Sequence, residues 1–184
     1  MKRVFAVLTL LLPLAMPVGA SAQPPPTTVL APPTGDALSI ENNLKYLEEN
    51  KKKKGVITRP SGLQFRIIQN GYGKRPQSTD TVKVYYTGTL INHVIFDGTS
   101  PGLPASLKLN SVIPGWIEAL QLMREGDHWL LTIPPNLGYG VRAQGDIIPP
   151  NQVLIFDIRL VETTPAPRRG EKGYIPDASE KEDQ

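Results

Sequence analysis

Three clusters of residues in this chain have the types and spacing to do chemistry. They are Val112-Ile113-Pro114-Gly115-Trp116, Gly138-Tyr139-Gly140 and Ile147-Ile148-Pro149-Pro150. Proline suits the first turn of a helix, so Pro114 puts Trp116 at the start of a short one. A long loop then brings Tyr139, Ile147 and Ile148 toward the indole. Such a set builds an apolar pocket carrying one or two amide or hydroxyl donors. It implies no metal, no phosphate cradle and no nucleophile. A pocket of this kind suits an apolar, imide-like group such as a proline ring.

Other chemistries find little support. The chain has two histidines, His93 and His128, far apart and without an acidic spacing that would favour a metal. His93 falls in a hairpin turn and His128 on a strand, where a structural role is expected. Gly98-Thr99-Ser100-Pro101-Gly102 fits the pattern of a nucleophile elbow, but that motif needs a helix after the serine. Pro101, Gly102 and Pro104 forbid one. Gly138, Gly140 and Gly145 lack the spacing of a dinucleotide fingerprint, and no helix opens there. No metal and no cofactor is expected.

The positioning elements follow from periodicity. Leu63, Phe65 and Ile67 alternate with Gln64, Arg66 and Ile68, and Val82, Val84 and Tyr86 alternate along a second strand reaching about Ile91. Leu107 and Leu109 mark a short third strand. Trp116, Ala119, Leu120 and Met123 share one face of the helix opened by Pro114, which stops at Gly126-Asp127. Trp129, Leu131 and Ile133 alternate in the next strand. Val153 to Val161 is apolar on both faces, as a central strand would be. Many strands around one helix predict an antiparallel α+β domain over residues 56–163. Ahead of it, Ala37, Ile40, Leu44 and Leu47 recur at helical spacing. A helix over 36–55 is predicted, capped by Asp36, with Lys51 to Lys54 in its last turn and Gly55 ending it. Its narrow apolar stripe must dock on its own domain or on a second copy, which makes a weak homodimer one expectation.

The ends have their own composition. Met1-Lys2-Arg3, an apolar run from Val4 to about Val18 and Ala20-Ser21-Ala22 read as a secretory signal over residues 1–22, cleaved after Ala22. Residues 23–35 are a Pro-rich linker and residues 164–184 a charged, disordered tail. At 184 residues and 40% hydrophobic, the chain supports one core. It has no cysteine, so neither disulfides nor thiol chemistry is available. Loss of Lys2 and Arg3 with the leader takes the formal charge from +3 to about +1. No nucleic-acid partner is expected from that balance, and the lysine run reads as a solvated helix end.

Read together, Val84-Tyr85-Tyr86-Thr87-Gly88, Phe96-Asp97, Val112-Ile113-Pro114-Gly115-Trp116, Ile133-Pro134-Pro135, Gly138-Tyr139-Gly140, Ile147-Ile148-Pro149-Pro150 and Leu154-Ile155-Phe156-Asp157 resemble an FKBP-type peptidyl-prolyl cis-trans isomerase. The blocks occur in order from about Gly62 to Val161. The charged helix before Ser61-Gly62-Leu63-Gln64 is similar to the exported bacterial branch, the macrophage-infectivity-potentiator and FkpA-like proteins. The resemblance implies an antiparallel half-barrel sheet wrapped around one short helix. It implies Trp116 as pocket floor, with Tyr86, Phe96, Val112, Ile113, Tyr139, Ile147, Ile148 and Phe156 contacting substrate. The Ile113 N–H and the Tyr139 hydroxyl would bond substrate carbonyls, and Asp97 would be the acidic group at the pocket edge. Ala105 stands where the family often carries a bulky side chain, which would thin one wall. Implied partners are proline-containing unfolded or exported polypeptides, with macrolide inhibitors in the same pocket. The expected function is prolyl isomerisation in the periplasm or outside the cell. The alternative is a non-catalytic chaperone or binding module using the same pocket.

Overall fold

The computed structural model describes residues 35–167 and 171–172. The signal over 1–22 and nearly all of the 23–35 linker lie outside these residues, as does most of the 164–184 tail. A 3-10 turn at Gly35–Leu38 leads into α1 (Ile40–Asn50), and seven strands follow. They are β1 (Val56–Thr58), β2 (Gln64–Gln69), β3 (Thr81–Thr89), β4 (Ile95–Gly98), β5 (Ala105–Lys108), β6 (His128–Ile133) and β7 (Leu154–Thr164). Helix α2 (Pro114–Leu122) sits between β5 and β6.

All strand pairs are antiparallel, in the order β1-β2-β6-β7-β3-β4, with β5 also on β3. This is an α+β half-barrel. Strand β7 is central, paired with β6 on one side and β3 on the other. The sequence predicted both its faces apolar. From Asp157 onward the outer face is instead exposed, through Asp157, Arg159 and Val161, while Ile158 and Leu160 stay buried. Among the described residues no element covers that stretch of the outer face, so alternation returns.

The inner face of the sheet packs on α2. Pro114 occupies its first turn, and Trp116, Ala119, Leu120 and Met123 are buried against Leu131, Ile133, Phe156 and Ile158. Gly115 is needed at this contact: a Cβ there would lie 2.6 Å from Ile133 Cγ2.

Helix α1 departs from its sequence pattern. It is shorter than 36–55, and its N-cap is Ser39, whose hydroxyl accepts from Asn42 N at 3.2 Å, in place of Asp36. Lys51 to Lys54 form the turn after the helix, closed by Gly55 at φ +81°. Two residues of the apolar stripe, Ile40 and Leu44, are each 57% exposed, while Ala37 and Leu47 are half-buried. The buried side chains are Asn43 and Asn50. Asn43 donates to Gln152 Oε1 (3.1 Å) and accepts from Val153 N (2.8 Å). Asn50 donates to Gln64 Oε1 (2.9 Å) and Thr132 Oγ1 (3.2 Å), and Gln64 Nε2 donates to Leu47 O. Gln64 and Thr132 are cross-strand partners pointing away from α2, so α1 covers the opposite face of β2 and β6. Satisfied amides can sit there because each buried polar group finds a partner.

Candidate active site

Strand β3 places the site by splitting its free edge. Thr81–Val84 pair with β5 and Thr87–Thr89 with β4. Tyr86 stands in the gap, where Thr99 bridges: Tyr86 N donates to Thr99 Oγ1 (3.1 Å), and Thr99 N to Tyr86 O (2.9 Å). Alternation from Val82 and Val84 turns the Tyr86 ring toward α2. There it meets Trp116 edge-on, with ring centroids 5.0 Å apart.

Phe156 lies across from Gly88 on β7 and packs edge-on to Trp116 at 5.1 Å and to Phe96 at 5.5 Å. Edge-to-face pairs add about 0.5–1.5 kcal/mol each beyond burial and hold the rings at fixed angles. Gly88 makes this possible, since a Cβ there would come within 2.7 Å of Phe96 Cζ and 2.9 Å of Phe156 Cε1. The rings enclose a cavity of about 270 Å³, open on one side. Trp116 is buried at its floor, with Tyr86, Phe96, Phe156, Val112, Ile113 and Tyr139 around it.

Two donors on this wall are unspent. Among the described residues, no hydrogen bond uses the Ile113 N–H or the Tyr139 hydroxyl. Asp97 is otherwise engaged: its Oδ2 accepts from the Tyr86 hydroxyl (2.7 Å) and its Oδ1 from Gly98 N (2.8 Å). Burial, then the bond to Asp97 and its charge, push the Tyr86 hydroxyl well above the usual tyrosine range. Burial, and secondarily Asp97, raise Tyr139. Both phenols are therefore protonated donors at neutral pH.

The predicted residues converge except for two. Ile147 is 52% exposed and Ile148 is 6% exposed within the core, and neither lines the cavity. A tight turn explains this: Gln144 and Ile148 bond each other in both directions around Gly145, at φ +57°. Ile147 sits in the turn and points out, while Ile148 closes it and is buried. Leu107 and Ser111 line the cavity and were missed. Leu107 carried a strand signal and Ser111 directly precedes Val112, but neither spacing marks a pocket. Ala105 is opposite Val84 and does not line the cavity, so Leu107 is the β5 wall. His128 sits 2.7 Å from Asp157, and neither residue lines the cavity.

Comparison with known proteins matches this geometry. Residues 73–161 match the FKBP-type peptidyl-prolyl cis-trans isomerase model, and residues 36–67 match the domain amino terminal to it. A peptidyl-prolyl cis-trans isomerase structure from Pseudomonas syringae pv. tomato superposes with a TM-score of 0.65 at 34% identity, covering 73% of this chain and 98% of that one. The chain belongs to the FKBP-type peptidyl-prolyl cis-trans isomerase family. The FKBP-type 22 kDa isomerase of Escherichia coli strain K12 is 53% identical over 120 residues, 65% of this chain and 58% of that protein. Outer membrane protein MIP of Legionella longbeachae is 48% identical over 130 residues, 68% of this chain and 56% of that protein. The chain thus spans about half the length of the curated relatives it matches. The two matched family regions meet within one continuous sheet, where β2 pairs with β6. The pocket lies wholly in the first, and α1, β1 and most of β2 in the second.

Proposed function

We propose that this chain is a peptidyl-prolyl cis-trans isomerase that assists folding of exported proteins. The observation that carries the reading is the pairing of two free donors, the Ile113 N–H and the Tyr139 hydroxyl, with the aromatic cavity over Trp116. Rotation about a peptide bond costs about 18–20 kcal/mol because it breaks amide resonance. The twisted prolyl amide has less charge separation than the planar one, so an apolar cavity favours it over water does. Trp116, Tyr86, Phe96, Val112 and Phe156 hold the proline ring. Ile113 and Tyr139 hold the flanking carbonyls while the bond turns, so binding is strongest in the twisted state. Asp97 acts by fixing the Tyr86 ring and by setting the charge at the rim. No covalent step and no proton transfer is required. Uncatalysed exchange takes tens to hundreds of seconds, slow enough to limit folding.

The substrates in this reading are proline-containing unfolded polypeptides, reached after export to the periplasm or medium and removal of residues 1–22. The leader-like N-terminus and the name of the Legionella relative support export. Macrolide inhibitors would share the cavity. The outward stripe of Ile40 and Leu44 supports a weak homodimer through α1.

The test is catalysed exchange of an Xaa-Pro peptide by the processed chain, with and without rapamycin. Exchange above background that the macrolide suppresses supports both the activity and the site. Exchange without suppression removes the macrolide part. No exchange across several Xaa residues overturns the enzyme and leaves a binding module.

A further inference from the structure

We propose that a second groove, at the other end of α2 from Trp116, is the docking site for residues 173–184 of this same chain. The groove has a volume of about 640 Å³ and shares no lining residue with the Trp116 cavity. Its buried floor is the stacked pair Phe65 and Trp129, with centroids 4.4 Å apart and planes within 10°. Ile57, Ile67 and Tyr72 stand exposed on its rim. Aromatic and aliphatic surface left open in this way favours a matching apolar side chain.

The charge of the groove selects among occupants. Arg75 and Arg124 are both exposed in its wall, and no described carboxylate pairs with either guanidinium. The acid in the wall, Asp127, is buried, and its oxygens accept from the Gly71 and Arg124 backbone N–H groups. The groove therefore presents cations above an aromatic floor. Residues 173–184 carry the complement: Tyr174 and Ile175, then Asp177, Glu180, Glu182 and Asp183 against Lys181 alone. Tyr174 and Ile175 fit the floor, and the following carboxylates fit the two guanidinia, which bind carboxylates in bidentate geometry.

Position favours the same occupant. One side chain joins the end of β7 to the loop that walls the groove. Glu125 accepts from Thr163 N through Oε1 (2.7 Å) and from Lys74 N through Oε2 (3.2 Å). The chain is held once more at Ala166, whose N–H donates to Asp80 Oδ1. From Ala166 to Tyr174, an extended chain at about 3.3 Å per residue reaches roughly 26 Å. The tether starts beside the groove, because Glu125, next to Arg124 in the chain, bonds both the end of β7 and Lys74. A second copy's 173–184 segment, or an unrelated acidic peptide, would need to outcompete a tethered ligand at millimolar effective concentration.

The Trp129 indole N–H has no acceptor and serves as a reporter. Nitrogen-15 NMR spectra of the processed chain are compared with those of the same chain ended at Lys172. The expected result is a shift of the Trp129 indole resonance and of the Ile57, Ile67 and Tyr72 amides between the two. In about 1 M salt, where the screening length is about 3 Å, the intact chain moves toward the shortened one. The Arg75→Glu/Arg124→Glu variant of the intact chain behaves like the shortened chain at low salt. Arg75→Gln, which removes no described bond, gives a partial effect and guards against loss of folding. Identical spectra for intact and shortened chains overturn the proposal, as does a shift insensitive to both arginine variants. A shift that grows with protein concentration also overturns it, assigning the groove to a second copy.

Discussion

The Tyr86 hydroxyl donates to Asp97 Oδ2 at 2.7 Å while the Tyr86 ring stands edge-on to Trp116. One phenol thus links the acidic rim of the cavity to its floor. Among the described residues, none bonds the hydroxyl of Tyr139 on the same wall. The two tyrosines therefore have separable roles.

Tyr139→Phe removes the proposed donor to substrate and leaves the ring. We expect kcat/KM for an Xaa-Pro peptide to fall about tenfold, matching one hydrogen bond of about 0.5–1.5 kcal/mol, with little change in Tm. Tyr86→Phe frees the Asp97 carboxylate and the ring together, so a similar loss should come with weaker macrolide binding. Exchange spectroscopy and titration read both. If Tyr139→Ala and Asp97→Ala abolish exchange yet still suppress aggregation of an unfolded client, catalysis and chaperoning are separate functions.

Gly88→Ala should damage the pocket without touching a polar group. Its methyl would overlap Phe96 and Phe156, and overpacking costs about 1–3 kcal/mol. The measurable outcome is a lower Tm together with loss of exchange. An unchanged Tm would mean that the rings move aside freely.

The raised tyrosines make stability depend on alkaline pH. In the unfolded chain they ionise near pH 10, whereas burial keeps Tyr86 and Tyr139 protonated above that in the folded state. The folded state then binds more protons, so their contribution is complete below about pH 10 and is lost as pH rises toward the folded values. Urea midpoints should decline above pH 10. The decline should flatten in the Tyr86→Phe/Tyr139→Phe variant.

Asn43→Leu tests how α1 is held. Leucine would leave the Val153 N–H and the Gln152 Oε1 without a partner, and each buried orphan costs about 1–3 kcal/mol. Faster hydrogen exchange confined to α1 is the expected result. Ile40→Ser with Leu44→Ser should leave Tm unchanged and reduce sedimentation to that of a monomer if α1 pairs two copies.

Much of the site was legible because its signals are local. Pro114 at a first turn and Trp116, Ala119, Leu120 and Met123 at helical spacing need only the helix repeat to be placed. Likewise Trp129, Leu131 and Ile133 need only the strand repeat. The strands Val56–Thr58 and Ile95–Gly98 are too short for alternation to register, although β4 carries Phe96 and Asp97 to the rim. Leu107 and Ser111 reach the cavity only because two short strands share one edge of β3.

Sequence alone identified the set of groups: an indole floor, aromatic walls and two donors. Which faces lie inside was settled by contacts between residues far apart in the chain. Periodicity left the stripe of Ile40 and Leu44 to dock on its own domain or on a second copy; Asn43, bonded to Gln152 109 positions away, takes the face against the domain. Ile147 and Ile148 are chemically alike, and a turn around Gly145 alone sends one to solvent and the other to the core. Periodicity reports that a face is apolar. Which face is covered depends on partners distant in the chain, and only the closed sheet brings them together.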